Sequence, residues 1–118
     1  MTETNKYDLE ERTYCFAKQV AVFCKRLPYS HSNKEYTIQA IRSSSSVGAN
    51  YIEANEALSR KDFLMRVKIS RKEAKESTYW LKLIIDTNPA DFIKEGTILK
   101  DESIELKKIL SSIIGKFC

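Results

Sequence analysis

The chain has 118 residues, enough for one domain whose core needs no disulfide or metal to hold it. Charged residues make up 31% and hydrophobic residues 42%, with three Gly and two Pro, a mixture that excludes a disordered chain and favours a mostly helical protein. A formal charge of +4 permits an anionic partner such as RNA, DNA or a charged surface without demanding one, so the placement of charge matters more than its sum.

From the N-terminus, MTETNKYDLEER lacks an apolar h-region and a cleavage site, and no later apolar run is long enough to span a bilayer; a cytoplasmic location with no membrane contact is expected. Helix 1 is predicted from about Tyr7 to Leu27, because Leu9, Thr13, Phe16, Val20, Phe23 and Leu27 alternate steps of four and three. A second line, Tyr7, Tyr14, Ala17, Ala21 and Cys24, widens its apolar face beyond what one neighbouring helix covers. Pro28 ends the helix, since the residue before a proline is pushed out of the α region, and Tyr29-Ser30-His31-Ser32 supplies turn formers. Cys15, Cys24 and Cys118 show no metal-ligand spacing and are read as free thiols in a reducing compartment. The single histidine, His31, has neither a second His nor an adjacent Cys and reads as a solvated loop residue.

Helix 2 is predicted over about residues 33–58, starting at Ser32, which with Glu35 three residues later fits a capping box. Ser43-Ser44-Ser45-Ser46 with Gly48 resembles a flexible linker in isolation. Periodicity argues for an unbroken helix, because Thr37, Ile41, Ser44, Val47 or Gly48, Tyr51, Ala54 or Asn55 and Leu58 keep one register through the serines. The small side chains then become a surface for close helix packing, and each hydroxyl can bond a carbonyl one turn earlier.

Ser59 is the expected N-cap of helix 3, which is predicted over about residues 60–86 with Asp62 in its first turn. Phe63, Val67, Ser70, Ala74, Ser77, Leu81 and Ile84 form its core seam. A second face carries Met65, Ile69, Trp80 and Leu83, which one core does not need; they are the candidates for contact with a further helix or a second subunit. A third face is basic: Lys61, Lys68, Lys75 and Lys82 recur every seven residues, joined by Arg71 and Lys72, over about 31 Å. The connection from Thr87 to Gly96 contains Asn88-Pro89 and a closing Gly, so a loop with a short helical turn is expected. Helix 4 is predicted over about residues 98–117, with a seam of Leu99, Ser103, Leu106, Leu110, Ile113 and Phe117. Four helices with short connections predict an all-α, antiparallel up-and-down four-helix bundle, a single domain over residues 1–118.

Three linked blocks carry a resemblance: Ser45-Ser46-Val47-Gly48-Ala49-Asn50-Tyr51-Ile52-Glu53-Ala54, then Ser59-Arg60-Lys61-Asp62-Phe63, then Lys72-Glu73-Ala74-Lys75-Glu76-Ser77-Thr78-Tyr79-Trp80-Leu81. In order and spacing they resemble the four-helix-bundle proteins encoded within intervening sequences of bacterial 23S ribosomal RNA; helices 1 and 4 agree in length and character only. The resemblance implies a non-enzymatic bundle that assembles as a homopentamer, with a link to RNA or the ribosome. The fold is also similar to the accessory variability protein of diversity-generating retroelements, a basic pentamer that binds nucleic acid and a reverse transcriptase. The net charge of +4 departs from that basic extreme and argues against strong nonspecific binding.

The motif residues Asn50, Glu53, Glu73 and Glu76 could be drawn as a carboxylate cluster for metal or acid–base chemistry, but the Glu-x-x-His of di-metal bundles is absent. A structural polar network joined to motif serines, Arg42 or Arg66 is preferred, with no cofactor, no metal, no catalytic residue and no small-molecule substrate expected. The lysine stripe reads either as a solvated face or as an RNA-binding surface in which Lys61, Lys68, Arg71, Lys72, Lys75 and Lys82 meet phosphates; Tyr79 on the same face reads equally as a residue that stacks on an unpaired base or as one at a subunit contact. The competing functional reading is a homo-oligomeric scaffold that binds another protein and never touches nucleic acid.

Overall fold

Three of the four α-helices among the described residues begin or end where a residue supplies or removes a backbone partner. In the computed structural model, which describes residues 6–117, the elements are α1 (Lys6–Lys25), α2 (His31–Asn55), α3 (Arg60–Asp86), a 3-10 turn (Ala90–Phe92) and α4 (Ile93–Lys116). The side chain of Tyr7 and the whole of Cys118 lie outside the described residues. Helix α1 unwinds three residues ahead of Pro28, through turns in which Arg26 N donates to Phe23 O and Leu27 N to Cys24 O.

The start of α2 differs from the expected capping box. Ser30, not Ser32, is the N-cap: its backbone is extended and its hydroxyl accepts from Asn33 N at 3.0 Å. Asn33 decides between the two serines, because its side-chain amide donates to Pro28 O at 2.8 Å and exchanges two hydrogen bonds of 2.8 Å with Asn88 in the turn after α3. That tertiary tie holds the turn of helix two residues earlier than the sequence pattern alone places it. The helix then runs through all four serines as the periodicity predicts, and Ser43, Ser44 and Ser45 bond back to carbonyls three or four residues earlier. It stops at Asn55, so Leu58 lies beyond it and is 99% exposed.

Helix α3 is capped as predicted, with Ser59 Oγ accepting from Asp62 N at 3.1 Å. Its small residues meet those of α2. Ser77 Oγ donates to Ser43 Oγ at 3.0 Å, and Ser70 Oγ donates to Val47 O at 2.6 Å, so buried hydroxyls find partners across the contact while the backbones stay close. Helix α4 begins at Ile93, about a turn earlier than expected, because Gly96 is a buried helical residue and not the end of a loop. A Cβ at Gly96 would stand 2.6 Å from Ile85 Cγ1 and 3.3 Å from Phe23 Cζ; the glycine is there for the approach of α4 to its neighbours.

The helices pack in a ring, α1 on α2, α2 on α3, α3 on α4 and α4 back on α1, around one core in which Phe16, Phe23, Leu9, Leu81, Ile84, Leu106 and Leu110 are the largest fully buried side chains. On α2 the core line is Ala40, Ser43, Ser44, Val47, Tyr51 and Ala54; Ile41, expected in the seam, is turned about 120° from Val47 and sits on the flank toward α1. On α4, Ile114 takes the buried place expected for Ile113, and Phe117 instead packs on Phe63 with ring centres 5.2 Å apart. Arg12 of α1 clasps Glu102 of α4 through two hydrogen bonds of 2.7 and 2.9 Å, and Arg26 pairs with Glu95 on the same side. No helix among the described residues is long and apolar enough to cross a membrane.

Candidate nucleic-acid interface

The ring of helices leaves distinct outer faces, and the basic one lies along the α3/α4 junction. Lys68, Arg71, Lys72 and Lys75 of α3 line a cleft of about 420 Å³ together with Lys107 and Ser111 of α4. Lys68, Lys72 and Lys75 are exposed, and Arg71 reaches across to Ser111 Oγ at 3.5 Å. Among the described residues, none of these five cations makes an ion pair. Two carboxylates of α3 are engaged away from the cleft: Glu73 and Glu76 both face Arg42 of α2, at 3.5 and 2.9 Å. The cleft is therefore a concentration of uncompensated positive charge with a hydroxyl at its rim, the arrangement that meets phosphate oxygens.

Two of the sequence-predicted basic residues stand apart from it. Lys61 and Lys82 are exposed on the same helix but seven residues, about 10 Å, beyond Lys68 and Lys75 respectively, and neither lines the cleft. Conversely, Lys107 and Ser111 are not visible as part of the stripe in the sequence, because no spacing rule links positions on α3 to positions some forty residues later on α4. Their own spacing of four puts both on one side of α4, which is the only local sign they give.

Tyr79 lies one turn beyond Lys75 and is 59% exposed, its ring in a T-shaped contact with Trp80, centres 5.1 Å apart. Trp80 is half-buried and leans on Tyr36 of α2 at 6.2 Å, with its indole N–H buried and unpartnered. Lys72, Lys75, Glu76, Tyr79 and Trp80 together line a shallow depression that adjoins the cationic cleft.

The structural polar motif divides. Asn50 accepts from Arg66 Nη1 at 3.2 Å and donates to Ser46 O at 2.9 Å, while Glu73 and Glu76 share Arg42; together they stitch α2 to α3. Glu53 is exposed, and among the described residues its side chain makes no hydrogen bond or ion pair. Glu73 is 8% exposed and its buried Oε1 accepts no hydrogen bond among the described residues; Arg42 is within ion-pair range of that oxygen but not aligned to donate to it. Among the described residues no group of three or more His, Cys, Asp or Glu side chains is placed to hold a metal ion.

The α3 candidates for subunit contact are only partly free. Met65 is 51% exposed, whereas Ile69, Trp80 and Leu83 are half-buried on the side toward α2. A more apolar surface lies between α1 and α2, where Tyr14, Ala17, Ala21, Ile41, Ala49 and Ile52 line a groove of about 480 Å³ floored by Thr13 and Gly48. Its sequence signals are the second apolar line of helix 1 and a second 3-4 series on helix 2, Ile38, Ile41, Ser45 and Ile52.

Fold and surface together define the class: an up-and-down helical bundle that carries a cationic cleft and an apolar groove. The model of the 23S rRNA-intervening sequence protein family matches residues 5–112, and the chain belongs to that family. It is similar to a solved protein of unknown function from the S23 ribosomal protein family of Bacteroides thetaiotaomicron VPI-5482, at 33% identity and a TM-score of 0.75, over 89% of this chain and 96% of the other. No curated protein matches it.

Proposed function

We propose that this chain is a non-enzymatic, self-associating bundle that attaches to RNA or to a ribonucleoprotein through the α3/α4 cleft. One observation carries the reading: Lys68, Arg71, Lys72, Lys75 and Lys107 converge on one cleft without a carboxylate among them. Clustered like charges repel one another, and a polyanion that displaces its counterions onto the cleft relieves that repulsion. The family's description refers to ribosomal RNA, which supports RNA as the polyanion. The cytoplasm, where ribosomal RNA resides in bacteria, is the proposed place of action.

The apolar α1/α2 groove supports self-association. Exposed Tyr14, Ile38, Ile41 and Ile52 are larger than one monomer needs at its surface, and small floor residues let another helix approach closely. The groove lies between α1 and α2 and Met65 is exposed on α3, so two different faces are available for head-to-tail contact, which closes into a ring where the rotation between copies permits it. A pentamer is the proposed size. A second reading rests on the same groove: a scaffold that holds a different protein there and leaves nucleic acid alone.

Charge reversal separates the two. Lys68→Glu with Lys75→Glu should abolish RNA retention on a heparin-free pull-down and leave the mass by light scattering unchanged. RNA retained by the double variant as well as by the parent contradicts the cleft as the attachment site; no RNA retained by the parent at low salt favours the scaffold.

A further inference from the structure

We infer that the cationic cleft and the Tyr79 shelf are one continuous site, and that it takes an unpaired polynucleotide strand and not a duplex. The inference rests on the RNA-associated reading above and deepens it. The cleft and the aromatic depression share Lys72 and Lys75 as a common wall. Lys68, Lys72, Lys75 and Tyr79 follow steps of four, three and four, so they stand in one row along α3, about 16 Å from end to end. Lys107 and Ser111 flank that row from α4, where Ser111 meets Arg71 at 3.5 Å and, further along the junction, Ser103 meets Thr78.

Tyr79 is what separates a strand from a duplex. Its ring is 59% exposed and stands T-shaped against Trp80, which itself rests on Tyr36, so exposed aromatic surface is presented in a set orientation. A flat apolar surface beside a row of cations matches a nucleotide whose base is out of the stack, with the base on the ring and its phosphates on the lysines. In a duplex the base faces are already stacked on each other, and only phosphates and groove edges could meet α3. Glu76, which also borders the shelf, is drawn at 2.9 Å to Arg42 of α2, away from the lysine row, so its carboxylate does not lie among the cations that the strand would meet. Phosphodiester and base are common to RNA and single-stranded DNA; the 2′-hydroxyl distinguishes them.

The test is fluorescence anisotropy of the full chain with end-labelled oligouridine of roughly ten nucleotides, the matching deoxythymidine oligomer, and a blunt RNA duplex of equal length. The unpaired strand should bind at least about tenfold more tightly than the duplex, since only it gains the stacking contact. Tyr79→Ala should weaken single-strand binding by roughly 5- to 100-fold and leave its salt slope unchanged, while Tyr79→Phe retains affinity. Lys107→Gln should make the log–log salt slope shallower by about 0.7, the mark of one lost phosphate contact. Oligouridine bound at least as well as oligodeoxythymidine upholds RNA as the strand; a preference for the DNA oligomer keeps the unpaired-strand inference and overturns its RNA assignment. Duplex bound as tightly as strand, indifference to Tyr79→Ala, or a Tyr79→Ala change in oligomer mass in place of affinity overturns the inference alone. No binding to any of the three at low salt overturns the RNA-associated reading beneath it.

Discussion

Gly48 and Gly96 mark where helices touch most closely, and a single methyl group measures it. A Cβ at Gly48 would stand 2.8 Å from Thr13 Oγ1, and that hydroxyl is already committed to Leu9 O at 2.9 Å. Gly48→Ala and Gly96→Ala should therefore each destabilise by about 1–2 kcal/mol, the overpacking cost exceeding the helix-propensity gain. Gly115, with nothing within 4 Å of its Cβ position, should behave oppositely, and Gly115→Ala should stabilise by about 0.5–1 kcal/mol in urea unfolding. Cys24 offers a second check: burial pushes its thiol from the ordinary 9.0 up to about 11. The protonated form is the one the fold favours, so its contribution is complete below about pH 9 and lost as pH rises toward 11, with an upper limit of about 3 kcal/mol. Comparing the stability of parent and Cys24→Ala across that range isolates it, and alkylation of the folded protein at neutral pH should spare Cys24 until the chain unfolds.

At the scale of the elements, helix α3 is fully legible in the sequence because its cap, its seam and its charge stripe repeat at helical spacing and agree with one another. The start of α2 is not, since Ser30 and Ser32 both satisfy the local rule and the choice depends on Asn33 meeting Asn88, a contact 55 residues long. Replacing Ser30 with Ala should cost about 1 kcal/mol by loss of the cap, whereas Ser32→Ala should change stability by less than about 0.5 kcal/mol. The same limit explains the cleft. Four of its cations announce themselves on one helix, but Lys107 joins them only when α4 folds back on α3, and the beginning of α4 is itself hidden by a glycine that looks like a loop. The α1/α2 groove is legible only as surplus: each helix has more apolar faces than its neighbours cover, and only the packing shows that the two surpluses adjoin.

The whole molecule, 45 × 29 × 20 Å, separates its chemistry by side: cations on the α3/α4 face, ion pairs between α1 and α4, apolar residues between α1 and α2. Such a separation would let the proposed self-association through one face leave the other open, so that each added copy would bring another cleft and weak phosphate contacts would combine through effective concentration. If copies join through the groove, Ile41→Glu with Ile52→Glu should break the assembly to the 13.6 kDa chain, read by light scattering, while circular dichroism still shows a folded bundle. The central claim, that the cleft is an RNA site, is tested most directly by the salt dependence of RNA affinity for the unmodified protein. Five cleft cations predict that log K falls against log salt with a slope near −0.7 per phosphate engaged, about −3.5 for one cleft fully occupied. Affinity that is flat with salt, or no binding at about 50 mM salt, would contradict it.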